Sequence, residues 1–68
     1  MKNKLREYRK QSGETQVKLA KVFGINGPML SDFERGVRVP YPKVKRLASE
    51  FFGVEEAELF PEDVEDGR

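Results

Sequence analysis

The 68-residue chain predicts an all-α fold of four to five short helices, and three observations carry that prediction. Apolar residues recur at helical spacing along the whole chain, and no run alternates as a half-buried strand does. Helix-starting residues (Asn3, Thr15, Asn26) and helix-stopping glycines (Gly13, Gly24, Gly36, Gly53) punctuate the chain at intervals of one short helix. Leu, Ile, Val and Phe number 18 of 68, about 26%, above the roughly 20% below which a charged chain stays disordered. A globular fold follows. Its single small core supplies only a few kcal/mol of net stability, so a second copy would help.

Each element follows from its own residues. Asn3 caps a first helix running to about Gln11, with Leu5 and Tyr8 on one face, and Ser12-Gly13 ends it. Thr15 caps the second helix, in which Leu19, Ala20 and Phe23 face inward, Lys18 and Lys21 face outward, and Gly24 supplies the stop. Asn26 starts the third, where Pro28 suits a first turn that does not need its N–H. Leu30 and Phe33 turn inward there, and Gly36 closes the helix before a loop over 37–41. The fourth helix, Pro42 to Phe52, has the clearest pattern: Val44, Leu47, Ala48 and Phe51 fall at i, i+3, i+4 and i+7, with Lys43, Lys45, Arg46 and Glu50 opposite. Gly53 stops it. Glu55 to Phe60 is expected to form a last short turn that sets Leu59 and Phe60 on the core, and after a single domain of residues 1–60 the acidic residues 61–68 are expected to form a mobile tail, with competition against DNA for the basic face or a place at the edge of a dimer contact as the alternative.

Composition removes several function classes. Without Cys there is neither a disulfide framework nor a thiolate site, and without His the commonest metal ligand and general base are missing. No metal, cofactor or enzymatic activity is expected. No apolar run approaches a membrane span, and Met1-Lys2-Asn3-Lys4 leads into no signal-peptide core, so a soluble cytoplasmic protein without membrane attachment is expected. The net charge of +1 conceals a division: residues 1–49 hold twelve Lys and Arg against four acids, a balance of +8, whereas 50–68 hold one Arg against eight acids, a balance of −7. The basic part suits a polyanion, although an ordinary solvated surface would show the same charges.

Spacing decides more than charge. A helix-turn-helix needs a small residue where two helices approach, a turn residue free to take positive φ, and apolar anchors on the helix that follows. Ala20, Gly24, Ile25, Leu30 and Phe33 fill those places in order. Any two short packed helices can show a small residue and a glycine, but here further positions agree.

Those positions are Leu5-Arg6 and Arg9, Gly13, Thr15-Gln16, Leu19-Ala20, Gly24, Leu30-Ser31-Asp32, Glu34-Arg35-Gly36, Leu47-Ala48 and Gly53. Through them the chain resembles the Cro/C1-type helix-turn-helix family of phage repressors and small bacterial transcription regulators, over residues 3 to about 60. The resemblance implies a lambda-repressor-like domain that binds double-stranded DNA. Relatives bind as homodimers to near-palindromic operators whose half-sites lie about one helical turn apart. Some relatives use the domain for protein contacts instead, so an antitoxin-like or antirepressor partner module is the alternative.

Roles can then be assigned. At 100° per residue, Pro28, Ser31, Asp32 and Arg35 form one outward stripe on the third helix, opposite Met29, Leu30 and Phe33. In relatives the first residues of this helix read base edges; the matching positions here are Asn26, Gly27 and Pro28. Asn26 is divided between capping the helix and pairing with adenine, and the cap is favoured. Gly27 permits close backbone approach, Pro28 and Met29 offer apolar contact to a thymine methyl, and Ser31 can hydrogen-bond a base or phosphate. Asp32 either accepts from cytosine N4 or is repelled by phosphate, and the modest contact role is favoured. Thr15 and Gln16, beside the free N–H groups of the second helix, are expected to bind phosphate, with Arg35, Arg38 and Lys43. The resemblance also implies a partly buried salt bridge between Arg9 and Glu34 that ties the first helix to the third. For the dimer surface, Phe52, Val54, Leu59 and Phe60, with Val64, form a candidate apolar patch, which could equally close the core.

Overall fold

A computed structural model describes residues 3–61, which form five α-helices and no strand. The helices are α1 (Leu5–Gln11), α2 (Gln16–Phe23), α3 (Gly27–Arg35), α4 (Pro42–Phe52) and α5 (Glu56–Leu59). Thr15 Oγ1 accepts the Lys18 N–H at 3.2 Å and Asn26 Oδ1 accepts the Met29 N–H at 2.7 Å, so α2 and α3 each begin on a side-chain cap. Gly24 ends α2 at φ +73°, and the Gly24 and Ile25 N–H groups return to the Lys21 and Ala20 carbonyls. This left-handed reversal satisfies two terminal acceptors and turns the chain directly into α3. A glycine is needed there because any side chain at that φ is strained.

Lys4 and not Asn3 occupies the cap position of α1, and Asn3, one residue earlier, bonds to two elements. Its Oδ1 accepts the Leu5 N–H at 3.0 Å, and its Nδ2 donates to the Phe33 carbonyl at 2.8 Å, so one side chain ties the start of α1 to α3. The next residue joins the other end of the domain, since the Lys4 N–H donates to the Leu59 carbonyl at 2.8 Å. These bonds between distant segments compensate for the small core.

Every helix contributes to that core, which consists of Leu5, Leu19, Ala20, Phe23, Leu30, Phe33, Val44, Ala48, Leu59 and Phe60. Helix α2 packs most extensively on α3, and the small Ala20 lies within the contact. Two expectations are corrected here. Leu59 and Phe60 are fully buried inside one copy and offer no surface to a partner. In α4 Val44 and Ala48 are buried and Leu47 packs partly buried against the core as expected, but the fourth inward residue is Phe52, whereas Phe51 is 40% exposed. The reason is tertiary: Tyr8 of α1 packs beside Phe52 with ring centroids 5.7 Å apart, which draws the buried face of α4 toward residue 52. Phe51 then stacks edge-on against the outer side of Phe52 at 5.0 Å. Val54 is half-buried against the core, and Val64 lies with the acidic tail residues Glu62, Asp63, Glu65 and Asp66 outside the described residues.

Candidate nucleic-acid interface

The turn between α2 and α3 sets two features side by side: the amino end of α2 and the outward stripe of α3. Along that stripe Pro28 and Arg35 are exposed and Ser31 and Asp32 half-buried, while Met29 is half-buried and packs against the core. Met29 therefore spends much of its side chain inward. Asn26 commits its carbonyl oxygen to the α3 cap, which removes the acceptor that a bidentate adenine pair requires. A Cβ built on Gly27 would meet nothing within 4 Å, so the packing of the chain itself does not require glycine there.

Beneath the stripe lies a partly buried polar network. Arg9 Nε donates to Glu34 Oε2 at 2.6 Å and Arg9 Nη2 to Glu34 Oε1 at 3.2 Å, a two-pronged pair whose side chains are 12% and 2% exposed. Arg9 Nη1 also donates to the Glu14 carbonyl at 3.1 Å, so one guanidinium joins α1, the loop before α2, and α3. Gln16 completes the network by donating from Nε2 to Glu34 Oε1 at 3.0 Å. Gln16 is the residue expected from its place at the start of α2 to bind phosphate. The carboxylate holds one Gln16 amide N–H and leaves the second as a donor.

Around this network opens a cleft of about 440 Å³ lined by Arg6, Arg9, Gln16, Ser31, Glu34 and Arg35. Three guanidiniums, an amide and a hydroxyl converge there, and the one carboxylate is already paired with Arg9. Such a lining attracts an oxyanion. Arg6 makes no ion pair among the described residues and was not singled out from sequence as a site residue. Only its position one turn ahead of Arg9 signals that it shares the cleft. At the far end of α3, Asp32 Oδ1 accepts from Arg35 Nη2 at 2.7 Å, and its Oδ2 lies 3.5 Å from Arg38 Nε. Thr15 and Lys43 are exposed, Thr15 with its hydroxyl oxygen engaged in the α2 cap.

A helix-turn-helix family model of the Cro/C1 type matches residues 5–59, which covers α1 through α5. The chain belongs to the Cro/C1-type helix-turn-helix family. No curated protein matches it significantly. The Cro/C1-type family is one of sequence-specific DNA-binding transcription regulators, and the all-helical domain described above is its DNA-binding unit. Among the described residues, no helix is long and apolar enough to cross a membrane.

The Cro/C1-type framework brings together Gln16, Ser31 and Arg35, three of the residues assigned to DNA from sequence, and leaves others apart. Arg38 and Lys43 lie outside the cleft. Asp32, expected to contact a base, has both of its oxygens facing arginines of its own chain.

Proposed function

We propose that the protein is a sequence-specific repressor that binds a near-palindromic operator as a homodimer. One observation carries this reading: Gln16, Ser31 and Arg35 line a single cationic cleft at the amino end of α2, with the outward stripe of α3 beside it. A DNA phosphate entering the cleft would meet Arg6, Arg35, the Gln16 amide and the open N–H groups of α2. That contact fixes register while α3 lies in the major groove. Arg38, Lys43 and Thr15 supply phosphate contacts further along the backbone.

The reading edge is sparse. Ser31 and the Asn26 amide nitrogen offer hydrogen bonds, Pro28 and the exposed part of Met29 offer apolar contact to a thymine methyl, and Gly27 lets the backbone approach closely. DNA shape and deformability then supply much of the selectivity. For the dimer, Phe51 replaces Leu59 and Phe60 as the apolar anchor, flanked by the half-buried Phe52 and Val54.

A salt series on duplex DNA, followed by selection of bound sequences from a random library, tests the reading. Affinity should fall steeply with salt, and Gln16→Ala and Arg35→Ala should each weaken binding across all sequences. A palindrome among the selected sequences reports site, spacing and symmetry together. One observation favours a second reading, a protein-interaction module on the same fold: the first turn of α3 carries Gly27 and Pro28 where relatives place base-reading side chains. Absence of DNA affinity at low ionic strength would sink the repressor reading and leave that one.

A further inference from the structure

Asp32 is the one acid on the outward stripe of α3, and its surroundings are not those of a base reader. Its carboxylate is 29% exposed, while its partners Arg35 and Arg38 are 62% and 48% exposed, so the acid is the inner member of a three-charge group. Arg35 reaches back one turn of α3. Arg38 is returned to the same carboxylate by the left-handed turn at Gly36, where the Val37 N–H donates to the Asp32 main-chain carbonyl at 3.1 Å. Two of the cations assigned above to phosphate thus share an anion built into their own chain.

We propose that Asp32 is an internal counter-ion for Arg35 and Arg38: it holds the guanidinium faces that a DNA phosphate would take, and so sets the sequence-independent part of DNA affinity and its salt response. The proposal rests on the DNA-binding reading and deepens it. Exposed ion pairs are individually weak, so phosphate competes with Asp32 for the two arginines and is not excluded by it. In the free protein, however, part of the positive charge of α3 is already neutralised. The two arginines then neutralise about one phosphate fewer, one fewer counterion condensed on the DNA is released on binding, and the salt slope is correspondingly shallow. Asp32 is in this sense a positioning residue that acts through the two arginines.

Asp32→Asn tests the proposal. The main-chain bond at Gly36 does not involve the side chain, so the variant should fold, with an unchanged circular dichroism spectrum. Binding to a random-sequence duplex should tighten several-fold, and the plot of log K against log salt should steepen by about 0.9, the value of one added phosphate contact. Between 50 and 200 mM salt that steepening is about a 3.5-fold greater loss of affinity than in wild type. Base preferences selected from a random library should stay as they are. On a heparin column, which needs no DNA site, the variant should elute at higher salt. In an Arg35→Ala, Arg38→Ala background the same substitution should lose most of its effect.

An unchanged slope and heparin elution would overturn the proposal. So would a loss of operator affinity confined to one base-pair position, which would make Asp32 a cytosine reader, or an undiminished effect in the double-alanine background, which would make it a direct repulsion. If wild type binds no DNA, the repressor reading fails separately, and the heparin comparison still decides the counter-ion role.

Discussion

Replacing Glu34 by Ala should be the most damaging single substitution away from the apolar core. The carboxylate accepts three hydrogen bonds, two from Arg9 and one from Gln16, and is 2% exposed. Its removal leaves Arg9, itself only 12% exposed, as a nearly buried charge whose remaining partner is the Glu14 carbonyl. Breaking a buried pair from one side costs about 3–5 kcal/mol, because the surviving charge keeps its desolvation penalty without its Coulombic compensation. A 68-residue domain has roughly 3–10 kcal/mol of total stability, so a large part of it depends on this carboxylate. At about 4–8 °C per kcal/mol for a domain of this size, Tm should fall by about 12 °C or more. Thermal and urea unfolding followed by far-UV circular dichroism would measure the loss. Removing both charges together, as Arg9→Met with Glu34→Leu, should recover about half of it or more, since apolar side chains of similar volume need no compensation. A Glu34→Ala cost below about 1 kcal/mol, the value of an exposed pair, would mean that the pair is fully compensated by solvent and does not hold the fold. A double variant no more stable than the single one would mean that the unpaired Arg9 charge is not the source of the loss.

Three further outcomes are expected. Asn26→Ala removes the cap on the Met29 N–H and should cost about 1 kcal/mol in urea unfolding, within a range of about 0.5–2. The exposed cluster of Lys4, Tyr8 and Glu58 gives stability a defined pH dependence. The hydrogen bond from Tyr8, then that from Lys4, holds the Glu58 carboxyl below its ordinary range, so its contribution is present above that range and fades as pH falls through the lowered value. The hydrogen bond to Glu58, then burial, raises the Tyr8 phenol, so the contribution of Tyr8 is complete below the ordinary tyrosine range and fades as pH rises through the raised value. Glu58→Gln should flatten both limbs of a Tm-against-pH curve, and limbs unchanged in that variant would assign the dependence elsewhere. Phe51→Ala should leave monomer stability nearly unaltered and weaken self-association in sedimentation equilibrium, because the ring lies outside the core.

How much was legible before the fold was known varied with the range of the interaction. The caps at Thr15 and Asn26 and the reversal at Gly24 were readable because each depends on residues within about one turn of chain. The inward faces of α2 and α3 were readable for the same reason, since helical geometry places them by spacing alone. The face of α4 was not: positions 51 and 52 are adjacent on the helix, and only Tyr8, more than forty residues earlier, makes Phe52 the inner one. Leu59 and Phe60 were assigned both to the core and to a partner surface, and the packing of α5 placed them in the core.

The candidate site divides in the same way. The helices, the turn, the cationic character of residues 1–49 and the outward stripe of α3 follow from propensity, capping, charge and helical periodicity, which are local properties of the chain. The partners of the polar side chains on that surface are set by packing between helices. Gln16 is held by a buried carboxylate eighteen positions away, Arg6 shares a cleft with Arg35, and Asp32 faces two arginines instead of open solvent. A polar side chain has several partners within reach, and which of them it meets depends on how the helices pack against one another.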